Sequence, residues 1–528
     1  MEAAAVLAAA VAFVVRGLTI SATPSGVDDG TVRYAVARAN ALQFRYGHGI
    51  GCRHLFFVDF SAATHLNHGS YGTAPRSVVR AAAHEMEKIE AWPDDFMRRR
   101  GLREVSIAAD QAGAQYFSSA AGSTVFVENA TVGVNAVLRS VSAMIPKGKA
   151  VLIFDRALRP SARFAKPSLR LFCALHALLS LTTAPPPDTY NACKNATYDM
   201  AEKANLRTVT CLFPLPLPRG GASGEGSCAD GLCELLDAAL TAEGDAVGLV
   251  LLDHITSPTG IVMPVARLAA VAHAHGALVL CDGAHAPGQI ANLNPSALGV
   301  DWYVGNLHKW AFTLKGVAIL WCSDAVRNDT QGSIISHNWK LDYQARHFMQ
   351  GTLDYSRYLS AAAGAAFVAA QLGGFSAMQV ANTALVQAGA RILEEAWWGK
   401  ALPGAPPRDL RLLSPAAIAE GLTAPFLQVV RTPLDWRAWV RGADGRDVRS
   451  LDDAAARAAL LADGGLSDRF GNAVLAQPGR VQSVFFPWEY GGDIVIWCRI
   501  SAQVYNTVAE YETLAAAVSV IKLTEGLA

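Results

Sequence analysis

The sequence lacks a surplus of either charge: 45 lysines and arginines stand against 45 aspartates and glutamates. Proteins that grip duplex nucleic acid carry a basic excess to neutralise phosphates, so no nucleic-acid partner is expected. Cysteine is scarce and odd in number, nine in 528 residues, which argues against a disulfide scaffold. Cys228 and Cys233 are spaced wrongly for a zinc pair and no second pair follows, so no metal site is expected. Glycine and proline, 45 and 24 residues, are too few for collagen-like or low-complexity material. The apolar run Ala3 to Val15 is too short to cross a bilayer comfortably, and no membrane partner is expected. Glu2 stands where a signal sequence wants lysine or arginine. An N-terminal targeting or signal segment and a plain Ala-rich leader both remain readings of that run, with a cytoplasmic location as the default.

What is abundant is apolar surface. At 52% hydrophobic residues the chain can bury a sizeable core, and its length suits two or three domains. Residues 1–53 read as a leader, poorly ordered or targeting, and 54–90 as an N-terminal segment with a helix from Ser77 to Ile89. From Thr124 short apolar runs alternate with helical stretches. Val125–Val127, Val151–Phe154, Val247–Leu252, Ala277–Cys281 and Val317–Trp321 read as strands. Fully apolar strands separated by helices predict an α/β fold whose mostly parallel sheet is covered on both faces, over residues 91–345. After about residue 345 a long Ala-rich helix from Ser360 to Leu372, with a continuation to Leu393 as the longer reading, precedes antiparallel-looking strands at 426–430 and 494–500. That predicts a smaller α+β domain over 346–528. One segment breaks the rhythm. Residues 156–187 are basic, leucine-rich in the middle and closed by three prolines, far longer than an ordinary connection. They read as an insertion, either a genuine loop or retained intron sequence.

In open α/β sheets ligands sit beyond the carboxyl ends of the strands. The polar residues there are Thr131, Asp253, His254, Asp282 and His285, with Lys309 following the next strand. Singly each is weak: Asp282 reads equally as a turn cap and Lys309 as a snorkelling surface lysine. Together they suit pyridoxal phosphate chemistry, which needs a lysine amine, an acid for the pyridine nitrogen and donors for a phosphate. Thr131 opens a helix, where free amides and the dipole favour a phosphate.

Eight stretches then carry a resemblance: HLNHGSYGTAP (65–75), VENATVGVNAV (127–137), YNACKNA (190–196), LLDHITSPTGIVMPV (251–265), LVLCDGAHAPGQ (278–289), VDWYVGNLHKW (300–310), QGTLDYS (350–356) and RISAQVYNT (499–507). In order and content the chain resembles the class V aminotransferases, fold type I pyridoxal phosphate enzymes. The similar branch holds isopenicillin N epimerase-like proteins and plant-type L-cysteine desulfhydrases. The resemblance implies a homodimer with its active site at the subunit interface, pyridoxal 5'-phosphate as cofactor and an amino acid as substrate. It makes Lys309 the Schiff-base lysine, Asp282 the partner of the pyridine nitrogen and His285 the partner of the phenolic oxygen. Tyr190 matches the group over the ring face. Ala130, Thr131 and His308 match phosphate contacts, and Thr352 a phosphate ligand donated by the partner subunit. Arg499 matches the arginine that grips the substrate α-carboxylate, with Asn67 and Ser70 lining the mouth. Two departures stand out. Leu353 replaces an arginine common near that position, and no cysteine lies between residues 474 and 497, where cysteine desulfurases carry a mobile one. Cys498 adjoins Arg499, and neighbours on a strand face opposite sides, so persulfide formation on the protein is not expected. A C–S lyase on cysteine or a cysteine conjugate is the favoured reaction, with epimerase and aminotransferase as alternatives. A non-catalytic scaffold would be expected to lose Lys309 or Asp282, and both are present.

Overall fold

The computed structural model describes residues 32–156, 189–221, 224–399, 411–412, 415–440, 448–450, 453–462, 465–490 and 493–525. Most of the leader, and the inserted segment beyond Arg156, lie outside the described residues. Among the described residues no single helix is long and apolar enough to cross a membrane.

Residues 32–53, grouped with the leader in the sequence reading, are built into the fold. Helix α1 (Val32–Tyr46) lies against the long helix of the C-terminal half, burying Ala39 and Gln43. Gln43 Nε2 donates to Asn506 O at 2.5 Å, and Arg53 pairs with Glu510 at 2.6 Å. α1 is weakly amphipathic, with few strong hydrophobes, so its attachment depends on these distant partners and was not legible locally. Strand β1 (Thr64–His65) follows, then the short α2 (His68–Tyr71) and α3 (Arg76–Glu90), and α4 (Gly101–Phe117) leads into the main sheet.

The main sheet has seven strands: β2 (Thr124–Val127), β3 (Ala150–Arg156), β4 (Arg207–Phe213), β5 (Val247–Asp253), β6 (Leu278–Asp282), β7 (Trp302–Asn306) and β8 (Ala318–Cys322). Their order is β2-β8-β7-β6-β5-β3-β4. Only β8 runs antiparallel to its neighbours. β2, β6, β7 and β8 are buried on both faces or nearly so, as parallel strands under two helix layers must be. The apolar-run criterion misses β4, because it is the sheet edge and leaves Arg207 and Thr208 exposed. Helices α5 (Ala130–Met144), α6 (Asn191–Ala204), α7 (Cys228–Glu243) and α8 (Val265–Ala274) pack on the sheet, and α9 (Leu307–Trp310) is a single turn continuing β7.

The long Ala-rich helix is broken. α10 (Ala361–Gln371) and α11 (Gly374–Trp398) meet at a 72° bend. Gly373 sits there at φ 75°, a left-handed conformation that halts a helix. Residues through Met378 pack into the large sheet's core, and from Leu385 onward α11 belongs to the second core. That second core lies between α11, α12 (Val508–Thr524) and an antiparallel sheet of β9 (Leu427–Arg431), β11 (Val484–Tyr490) and β12 (Asp493–Ser501), ordered β11-β12-β9. The two-residue β10 (Val481–Gln482) pairs in parallel with β1, fastening the N-terminal segment to this region.

The flanks of the inserted segment touch. Thr189 N–H donates to Asp155 Oδ1 at 3.0 Å, and Lys194 reaches Asp155 Oδ2 at 3.1 Å. Closing a long connection between fixed ends costs little entropy, and these ends already meet, so a direct junction is tolerable. A chain with Asp155 joined to Thr189 is expected to fold with a melting temperature within a few degrees of the parent. A variant that is insoluble or melts far lower would make the segment part of the fold.

Candidate functional site

Three sheet strands deliver the site's polar groups to one end. β5 ends at Asp253 with His254 beyond, β6 at Asp282, and β7 at Asn306 with Lys309 in the turn that follows. Adjacent parallel strands share register, so Asp253 lies level with Asp282. Lys309 is 8% exposed, and its Nζ lies 2.9 Å from His285 Nε2. Burial pulls the Lys309 ammonium down to about 8; the Asp282 carboxylate opposes this and Arg499 adds to it. Burial likewise holds His285 neutral, helped by Lys309 and Arg499. His285 Nδ1 is buried without a partner.

Asp282 is buried, and burial pushes its carboxyl up. Three groups oppose that rise: the Cys193 thiol, 3.1 Å from Oδ2, the Ala284 N–H, 2.9 Å from Oδ1, and the Lys309 ammonium. Tyr190 caps α6 three residues before Cys193 and is half exposed. Burial raises its phenol, and Cys193, Tyr71 and Asp282 add to the rise.

Arg499, on β12, is 5% exposed. Its Nη2 donates to Asn67 Oδ1 at 3.1 Å and Ser70 Oγ at 2.9 Å, and its Nη1 to Ser257 O. All three acceptors are neutral, and among the described residues no carboxylate pairs with it. Cys498, next along β12, turns the other way, toward Ser483. All eight cysteines among the described residues are buried.

At the opposite side of Lys309 lies the α5 N-terminus. Asn129 caps it by accepting from Val132 N–H, and the Ala130 N–H donates to Asn306 Oδ1 at 2.9 Å. Ala130 thus spends its amide on the protein, and the bond sets the helix end beside α9. His308 donates through Nδ1 to Val317 O at 3.1 Å, and burial lowers its pKa to about 4. Thr131 is half-buried at the helix end. Thr352 is exposed in the loop before Ser356 and joins no part of this cluster within the chain.

His68 and Ser257 also belong to the site and were not singled out by sequence reasoning. His68 is fully buried; its Nε2 donates to Lys309 O at 2.6 Å and its Nδ1 accepts from Tyr505 OH at 2.7 Å. The α2 turn packs directly on this backbone. A Cβ at Gly72, whose φ is +64°, would stand 1.8 Å from His308 O. Both residues lie inside the motif stretches around 65–75 and 251–265, but nothing in composition marks them as site groups.

Known proteins share the fold and parts of the sequence. The family profile described as Aminotransferase class-V matches residues 228–398. A protein of Oryza sativa subsp. japonica named "Putative L-cysteine desulfhydrase 1" is 28% identical over 86% of this chain and 82% of its own length. The L-cysteine desulfhydrase of Arabidopsis thaliana is 25% identical over 63% of this chain and 66% of its own. The isopenicillin N epimerase of Amycolatopsis lactamdurans is 29% identical over 49% and 54%. Among solved structures, a cystine C–S lyase in complex with cysteine persulfide superposes with a TM-score of 0.55 at 18% identity, covering 87% of this chain and 98% of that one. The cysteine desulfurase of Thermococcus onnurineus NA1 gives 0.52 at 15% identity, over 89% and 96%. Motifs, fold and relatives converge: the chain has the fold of these pyridoxal phosphate enzymes, matches the class V aminotransferase profile over residues 228–398, and is similar to L-cysteine desulfhydrases and isopenicillin N epimerases.

Proposed function

We propose that this chain is a pyridoxal phosphate-dependent C–S lyase acting on cysteine or a cysteine conjugate, working in the cytoplasm as a homodimer. The observation that carries an amino-acid substrate is Arg499. A guanidinium taken out of water and bonded, among the described residues, to neutral oxygens still lacks an anion there, and an α-carboxylate supplies one in matching bidentate geometry. The lyase reading rests on the desulfhydrase relatives.

The residues present fit the cofactor. Lys309 offers an amine that sheds its proton near pH 8, and Asp282 offers a buried acid for a ring nitrogen. His285 Nδ1, buried and partnerless, is available to a ring oxygen. Thr131 and His308 at the α5 end would hold the phosphate, with Ala130 shaping that end and Thr352 reaching across from a second copy. Tyr190 would cover the ring. When bound, pyridoxal phosphate supplies an aldehyde for the substrate amine and an electron sink for the charge left as the α-proton departs. Around it the chain's own groups do the rest. Arg499 binds the carboxylate, while Asn67, Ser70 and Ser257 fix the guanidinium's fork. Lys309 Nζ takes the α-proton, oriented by His285. His68 holds the Lys309 backbone. Loss of the β-sulfur then makes the reaction a lyase, with water yielding sulfide, pyruvate and ammonia from cysteine. The epimerase relatives favour a second reading, return of the proton to the opposite face. One assay separates them: sulfide and pyruvate release supports the lyase, and change of configuration without release supports the epimerase.

Three outcomes are expected. Lys309→Ala should cut turnover by about 10³-fold or more while the fold survives, because no other group replaces the amine. Full activity in that variant would refute the assignment. Covalent capture of pyridoxal phosphate by borohydride on Lys309 should rise through about pH 8, since burial disfavours the ammonium; a midpoint near the ordinary 10.5 would contradict the burial effect. Arg499→Lys should raise KM for the amino acid by ~10–100-fold and leave cofactor affinity intact, because a point charge cannot reproduce the fork. An unchanged KM would rule out that role.

A further inference from the structure

We propose that Cys193 is a positioning residue for Asp282: its thiol donates to Asp282 Oδ2 and holds that carboxylate ionised and in one orientation. The inference rests on the pyridoxal phosphate reading of the site and adds a residue to it. The contact is 3.1 Å long, and Cys193 is fully buried on the first turn of α6. Oδ1 is held from the other side by the Ala284 N–H at 2.9 Å, so each oxygen has one fixed donor and the carboxylate plane cannot rotate.

The donor's chemistry suits the position. Burial, with Asp282 and Asp253 nearby, keeps the proton on Cys193, so the sulfur remains an S–H donor. A thiol is a weak donor, and each carboxylate oxygen has two lone pairs, so Oδ2 keeps capacity for a second partner. The other ionisable groups facing this acid are Lys309, Asp253, Cys281, Tyr303 and Tyr190. Lys309 is the cation among them, and Asp253 is a second acid. Cys193 therefore offsets part of the burial that pushes Asp282 toward its neutral form, which could not pair with a protonated ring nitrogen. The same helix turn carries Tyr190, so one element sets both Tyr190 and the thiol that meets the acid.

The test compares Cys193→Val, an apolar side chain slightly larger than cysteine and without the donor, with Cys193→Ser, which keeps a donor. Cys193→Ala gives the same comparison should valine prevent folding. Pyridoxal phosphate affinity of the full chain is measured by fluorescence from pH 5 to 9, beside the melting temperature. The expected result for valine is ~5–10-fold weaker affinity, the size of one ordinary hydrogen bond, as suits a weak thiol donor. The loss of affinity on the acid side should begin about 0.5–1 pH unit higher, because removing a donor to the carboxylate raises its pKa. Serine should stay within about twofold of wild type. A valine variant matching wild type in affinity and pH profile, or a serine variant as weak as valine, would overturn the role of the thiol while leaving the cofactor reading intact. Wild-type chain that takes up no pyridoxal phosphate would overturn the cofactor reading and this inference with it.

Discussion

Two cations, Lys309 and Arg499, are held out of water at the same site, and much of the surrounding structure serves to make that tolerable. Removing a charged side chain from water costs several kcal/mol or more unless partners compensate (about that order for a buried ion). The two are treated differently. Lys309 is buried against the neutral His285 ring, and burial makes its charge readily given up although Asp282 opposes this. Arg499 stays a guanidinium and is met by an amide oxygen, a hydroxyl and a backbone carbonyl. A site that keeps one amine poised to lose its proton and one guanidinium short of a counter-ion is arranged for an anionic substrate bearing a reactive centre.

That arrangement needs three distant parts of the chain. The sheet supplies Asp282 and Lys309, β12 of the second core supplies Arg499, and the α2 turn supplies Asn67 and Ser70. His68 is the junction. Its ring bonds the Lys309 backbone on one side and Tyr505 on the other, while its own N–H donates to Ser501 Oγ at 2.9 Å. Burial keeps this ring neutral, with its pKa lowered to about 3, so the junction does not titrate in the physiological range. The N-terminal attachment of α1 and β1 to the C-terminal region is the wider form of the same constraint. The α2 turn must be held from behind before it can press on Lys309.

Asp282 shows how the fold tunes a group it also buries. Depth alone would neutralise the acid. A backbone N–H, a thiol and a nearby ammonium pull the other way, and each comes from a different element. The acid's register beside Asp253 is a consequence of parallel pairing between β5 and β6, which sets neighbouring strand ends level.

Much of this was legible in the residues. Unbroken apolar runs such as Val247–Leu252 identify doubly buried strands, because only a sheet covered on both faces tolerates them. Acids and a lysine at the ends of those runs mark the candidate site's edge, and the ordered motif stretches carry the family resemblance. Other features were not local properties. α1 has too little apolar surface to announce itself and is attached by Gln43 and Arg53 to residues more than 450 positions away. β4 is polar because it is the edge. The break at Gly373 turns on one backbone angle. Ala130 matched a phosphate contact, yet its amide goes to Asn306, a partner only the folded sheet brings near. The sequence by itself determined which chemistry the chain can carry, since that depends on residue type and on strand-end position. Only the tertiary structure decided that Arg499 is buried with no carboxylate partner among the described residues, that His68 fastens Lys309 and that Cys193 touches Asp282. Each of these is a contact between segments far apart in the chain, and no local pattern encodes such a distance.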